Sequence, residues 1–185
     1  MPKAQAAADS RSAILEAAEN LFSQRGFGAV SLREIAREAK VNVGSVTYHF
    51  HDKIGVLEAI YTRHTRPMNA RRLELIGEAK RIVDPDERLT AILRAYLLPA
   101  FSSSDDLAGG GARFTRMRAI LSAEGNPQAR QIIAKSFDRI TRAFIDAVVE
   151  CLPGANRNDI VWRSQFLLGA LYYTLINPQR IDRLS

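Results

Sequence analysis

One cysteine among 185 residues, Cys151, leaves the chain without an internal disulfide. That excludes the small cross-linked scaffolds of secreted proteins and fits a reducing cytoplasm. Cys151 itself reads as a small core residue near a helix end. Histidine is nearly as scarce: His49, His51 and His64 are the only three. The larger C-terminal part therefore has no imidazole for acid–base chemistry or for holding a transition metal. No window approaches the ~20 apolar residues of a membrane span, and "MPKAQAAADSRS" lacks the apolar run of a secretory signal. We expect a cytoplasmic protein. Sustained apolar–polar alternation is missing too, as is any repeat, so strands are not expected and the class is all-α.

What the chain does have is a moderate excess of basic charge. With 26 Lys and Arg against 20 Asp and Glu it carries a formal charge of +6, and its pI is about 9.8. This favours an anionic partner, nucleic acid first among them. The excess is spread out: residues 1–66 hold 9 Lys and Arg against 7 Asp and Glu. A nucleic-acid surface must then arise from where the charges point. Hydrophobic residues make up 46% of the chain, enough for a real core.

Helical periodicity begins near Asp9, where Ile14, Leu15, Ala18, Leu21 and Phe22 recur at spacings of three and four. This first helix stops at "RGFG", with Phe27 placed to fold back onto it. In "VSLREIAREAK", Ser31 and Glu34 have the spacing of a capping box, and Val30 and Ile35 that of a hydrophobic staple. The second helix is short and turns at Lys40 and Val41. Asn42 N-caps a third helix through His49, and Asp52 N-caps a fourth that runs at least to His64. Pro67 is expected to bend that helix or to start a new segment. Further helices are expected over 85–100, 113–123, 127–152 and 156–176, joined by "FSSSDDLAGGG", "EGNP" and "LPGANRN".

Two short helices joined by a tight turn, after a longer one, make a helix-turn-helix, which presents its last helix to a DNA major groove. Val46 and Phe50 can face inward with Val41. That leaves Val43, Gly44, Ser45, Thr47, Tyr48 and His49 on the outside. Hydroxyls of Ser45, Thr47 and Tyr48 suit phosphates, Val43 and Thr47 suit thymine methyls, and Gly44 lets the helix approach closely. Lys53 would meet a phosphate at the positive end of the fourth helix. Three rival readings remain. His49 and His51 could ligate a metal, His and Asp could activate Ser45, or the whole face could be solvated and idle. None has the supporting residues of a metal or catalytic centre nearby, and no cofactor is expected.

The segment "AAENLFSQRGFGAVSLREIAREAKVNVGSVTYHFHDKIGVLEAIY", in its order of "RGF", capped second helix, "V..GS" and "YHF", resembles the DNA-binding domain of the TetR family of bacterial transcriptional regulators. The resemblance implies a helix-turn-helix DNA-binding domain over 8–66 and a helical ligand-binding and dimerisation domain over 67–185. It further implies a homodimer on a palindromic operator, and a repressor released by a small effector. By position, Val43, Gly44 and Thr47 match residues that face bases. Ser45, Tyr48, His49 and Lys53 match phosphate contacts, and Arg33 matches an occasional base contact. The chain departs from the family at Lys40, where glycine is usual, and at Thr47, which replaces a common tyrosine. "TYHF" resembles a subgroup that includes regulators of fatty-acid metabolism, which points to an apolar or acyl-type ligand.

In the C-terminal part, Ile133, Phe137, Ile140, Phe144 and Val148 form one wide stripe. The last helix is apolar on more than one face, with Gly169 and Ala170 allowing close approach. A four-helix subunit interface explains that width, although a monomeric core would also account for it. Phe101, Phe114, Met117, Leu121, Phe137, Trp162 and Phe166 are candidates for a pocket as well as for plain core. Arg113, Arg116 and Arg118 are candidates for an anion-binding edge. An all-helical enzyme or carrier, and a nonspecific architectural DNA binder, are the alternative functions.

Overall fold

The computed structural model describes residues 2–100 and 111–184, and these form helices with no strand among them. In chain order they are α1 (Pro2–Arg25), α2 (Leu32–Glu38), α3 (Val43–Phe50), α4 (Lys53–Ala79), α5 (Pro85–Leu97), α6 (Gly111–Glu124), α7 (Pro127–Cys151), α8 (Arg157–Ile176) and α9 (Pro178–Asp182), with a short 3-10 turn at Leu98–Ala100 after α5. Most starts are written locally. Ser31, Asn42, Asp52, Asp84, Asn126 and Asn156 each accept a backbone N–H of the helix that follows, and Pro85 and Pro127 open α5 and α7. Each cap contributes about 1 kcal/mol by satisfying a donor that the helix itself cannot.

The first three helices and the start of α4 share one core. Ile14, Ala18, Phe22, Ile35, Val46, Val56, Leu57 and Ile60 are all fully enclosed. Phe27 folds back as expected, its ring 5.3 Å from that of Phe22. The expected capping box is complete, and both staple residues, Val30 and Ile35, are buried. At the turn before α3, Lys40 takes a left-handed φ of 55°, and Val41 N–H donates to the Ala36 carbonyl at 2.9 Å. A second positive φ, 66° at His51, ends α3 in a γ-turn, where Asp52 N–H donates to the Phe50 carbonyl at 2.8 Å. Gly55 completes this corner: a Cβ there would overlap the Phe50 carbonyl oxygen, so only glycine lets α4 start so close to the end of α3.

Pro67 neither ends α4 nor starts a new helix; α4 runs through it to Ala79. Proline supplies no N–H, so one rung of the helix is missing there. Burial of Thr65, Met68, Arg72 and Ile76 on both sides of the gap, against α5 and α7, holds the helix across it. The division expected between 66 and 67 therefore falls within a continuous helix. Beyond it, α5, α6, α7 and α8 pack around the second half of α4, with Ile92, Tyr96, Phe114, Met117, Phe137 and Phe144 in the core. Cys151 is buried near the end of α7, as expected.

The pocket candidates divide. Phe114, Met117, Leu121 and Phe137 are buried, while Trp162 and Phe166 are 64% and 70% exposed on the outside of α8. The latter two therefore line no interior cavity within this chain, because the periodicity of a helix with two apolar faces cannot say which face meets the rest of its own chain. Phe101 lies outside the described residues.

Candidate nucleic-acid interface

Helix α3 is held by its inner face and offers the outer one. Val46 and Phe50 are buried in the shared core, and the N-cap Asn42 fixes the first turn by accepting from Ser45 N–H at 2.7 Å. The outer residues stand as the sequence pattern places them: Val43 is 43% exposed and Tyr48 is 81% exposed, with Gly44 and Thr47 exposed and Ser45 and His49 half-buried. The Tyr48 ring is open to solvent, available to a partner surface. Tyr48 is steadied by an edge contact to the His49 ring, centroids 5.2 Å apart.

Three of the expected contact residues also bond within the chain. Thr47 Oγ1 donates to the Val43 carbonyl at 3.2 Å, and Ser45 Oγ donates to Asn42 Oδ1 at 3.2 Å. With that proton in use, what Thr47 has left to offer is chiefly its methyl group. Lys53 turns back into the protein: Nζ donates to the carbonyls of Phe27 and Val30, each at 2.8 Å, and lies 4.3 Å from the Phe27 ring centroid. It ties the loop between α1 and α2 to the start of α4, with one N–H left over. Burial lowers its pKa, against the pull of the Glu124 and Glu34 carboxylates.

Arg33 is exposed on the first turn of α2, and Arg37, Lys40 and Arg11 are exposed around the same unit. Arg11 reaches over the Phe50 ring at 5.1 Å. Glu34 on α2 is acidic but occupied: Ser31 and Arg25 hold its carboxyl down to about 2.

Sequence reasoning missed the ties between this unit and the rest of the chain. Glu124, at the end of α6, accepts from Phe27 N–H at 3.0 Å. His64 Nε2 on α4 lies 2.7 Å from Glu19 Oε2 on α1, and its ring stacks on Phe114 of α6 with centroids 4.6 Å apart. Both are contacts between residues distant in sequence, and no local pattern announces them.

A short capped helix, anchored by two apolar residues and showing an aromatic and small side chains outward after a tight turn, defines a helix-turn-helix DNA-binding protein. Comparison with known proteins gives the family. Residues 14–60 match the model for "Bacterial regulatory proteins, tetR family", and residues 94–185 match "Tetracyclin repressor-like, C-terminal domain". The HTH-type transcriptional regulator AcrR of Shigella flexneri is 36% identical over 191 residues, covering 96% of this chain and 84% of that protein. The HTH-type transcriptional repressor BepR of Brucella suis is 38% identical over 80 residues, covering 43% of this chain and 36% of that one. Among solved structures, NalD, the secondary repressor of the MexAB-OprM multidrug efflux pump in Pseudomonas aeruginosa, aligns with a TM-score of 0.66 at 22% identity, over 95% of this chain and 88% of that one. The chain belongs to the TetR family of bacterial transcriptional regulators. No described helix is long and apolar enough to cross a membrane.

Proposed function

We propose that the protein is a repressor that binds a palindromic operator as a homodimer in the cytoplasm and lets go when a small effector enters its helical body. The observation that carries the DNA half is the outward face of α3, with Val43 and Tyr48 exposed above a buried Val46 and Phe50. In this reading Val43, Gly44 and Thr47 meet base edges. Tyr48, Ser45 and His49 meet phosphates together with the remaining N–H of Lys53, and Arg33 approaches from α2. Residues 8–66 read DNA, residues 67–185 bind effector and pair the subunits, and α4 belongs to both.

Trp162, Phe166 and Tyr173, all at least half exposed on α8, support the homodimer. Their rings form an apolar strip that a second copy of α7 and α8 would cover in a four-helix interface. The effector half is a linkage: a ligand that prefers a dimer with misplaced α3 helices must weaken DNA binding by the same coupling with which DNA weakens ligand binding.

Selection of bound sites from a random duplex pool at two salt concentrations, with wild type and Tyr48→Ala, tests the reading. An inverted repeat that survives the higher salt and disappears with the variant is the expected result. Binding that falls steeply with salt and enriches no motif would make the protein an architectural DNA binder and overturn the operator reading.

A further inference from the structure

A charge at a core position is costly unless it is paired, and two arginines break that rule inside the helical body. Arg72 on α4 is 2% exposed and Arg118 on α6 is 7% exposed. Neither joins an ion pair among the described residues. Their flat faces are covered by rings: Arg72 lies 4.8 Å from the Tyr96 centroid, and Arg118 lies 3.6 Å from that of Phe137 and 5.2 Å from that of Tyr172. Ring faces offset part of a cation's lost hydration. They do nothing for the in-plane N–H groups, which need oxygen acceptors. Arg72 Nε and Nη1, Arg118 Nε and Tyr61 Oη are all buried without a hydrogen-bond partner among the described residues.

Arg118 on α6 links Tyr61 and Arg72 of α4, since it acts electrostatically on both, and rings from α5, α7 and α8 cover the two guanidinium groups. Burial pushes Arg72 down to about 10; Tyr96 opposes that, and the like charge of Arg118 adds to it. Arg72 thus remains a cation at neutral pH. Burial raises Tyr61 and Tyr172, so both keep their hydroxyl protons. The unmet atoms of Arg72, Arg118 and Tyr61 can all donate, and the partner that is wanted is an anion. The two coplanar oxygens of a carboxylate match the guanidinium fork. Around them the walls are apolar: Phe114 and Phe137 pack on Tyr61, and Phe144 stacks on Tyr96 with centroids 4.1 Å apart.

We infer that Arg72, Arg118 and Tyr61 form an interior binding site for an organic anion, a carboxylate carried on an apolar body, and that this is the class of the effector. The inference rests on the ligand-responsive reading above and deepens it. It assigns to the effector the counter-charge that the two arginines do not find among the described residues.

Thermal unfolding with octanoate and phenylacetate, each set against its matched alcohol (octan-1-ol, 2-phenylethanol), tests it on wild type, Arg72→Met and Arg118→Met. At least one carboxylate raises the wild-type Tm, its alcohol binds tenfold more weakly or worse, and both variants lose the preference. Without ligand, both variants melt no lower than wild type, because an unpaired buried cation has been removed. No rise with either carboxylate, equal rises with the alcohols, or a preference that survives in both variants overturns the inference. So does a fall of more than about 4 °C in both ligand-free variants, which would mark the arginines as structural supports. Operator binding, measured in the same samples, separates the two claims. Release of operator by the alcohols alone defeats the anion site and leaves the repressor; carboxylate binding by a chain that reads no operator does the reverse.

Discussion

Glu124 Oε2 accepts a hydrogen bond from the backbone N–H of Phe27 at 3.0 Å, joining the last turn of α6 to the loop that leads into the helix-turn-helix. Gly26, with φ 80°, makes room for it, since a Cβ there would overlap the Glu124 carboxylate. Glu124→Ala is expected to lower stability by about 1.5 kcal/mol, the low end for a hydrogen bond to a charged group because Glu124 is exposed. It should also reduce the ratio of operator affinities measured without and with effector. Glu124→Gln keeps an acceptor and should recover most of both. Denaturant unfolding and operator titrations check this, and an Ala variant with unchanged stability and ratio would show the contact to be idle.

Tyr48→Ala should leave the fold intact, because the ring is 81% exposed and supports no core contact. Loss of the proposed phosphate contact and of its packing against DNA should weaken operator binding by about 1–3 kcal/mol, roughly 5- to 150-fold. Fluorescence anisotropy on an operator duplex, with circular dichroism as the fold control, gives the comparison.

Lys40 holds a left-handed φ of 55° that costs a residue with a Cβ about 1 kcal/mol. Lys40→Gly should therefore stabilise the protein, and the Tm should rise by about 2–4 °C. A lower Tm would mean that the lysine side chain stabilises the turn by more than its backbone conformation costs.

Glu34 predicts a pH signature. Its pKa falls from an ordinary 4.5 to about 2 because the Ser31 hydroxyl, the Ser31 N–H and Arg25 favour the carboxylate. A depressed folded-state pKa contributes stability that is full above the unfolded value and lost as pH falls through the folded one. The Tm difference between wild type and Glu34→Gln should be constant above pH 5 and should shrink between about pH 4.5 and 2. A difference that does not change with pH over that range would show that the charge of Glu34 plays no part.

Trp162→Glu with Phe166→Glu should convert the protein to a monomer. Both rings are more than 60% exposed on α8, so the change places charge on the proposed subunit interface without entering the core of the single chain. Light scattering after gel filtration gives the mass, and a dimer that persists would move the interface elsewhere.

The contrast between what the sequence announces and what it conceals follows the range of each interaction. Ser31, Asn42, Asp52, Asn126 and Asn156 act within three residues of themselves, so each cap is legible and each is present. The outward set on α3 is legible for the same reason, since Val46 and Phe50 four apart fix which face is inside. Trp162 and Phe166 were ambiguous because periodicity does not say whether an apolar face meets its own chain or another. Lys53 obeys the rule for a cation at a helix start only until its side chain finds the carbonyls of Phe27 and Val30. Arg72 did leave a trace: it lies four residues after Met68 and four before Ile76, on the buried stripe of α4, where a charge has no ordinary business.

Helix α4 spans 27 residues, about 40 Å at 1.5 Å per residue, and it begins beside α3. A rod of that length works as a lever: a tilt of about 5° about its far end displaces the near end by roughly 3.5 Å, comparable with the ~3.4 Å rise of one DNA base pair. Pro67, near the middle, leaves one rung missing, but the buried residues on both sides keep the rod whole. A small rearrangement around Arg72 can therefore reach α3 as movement of the whole rod.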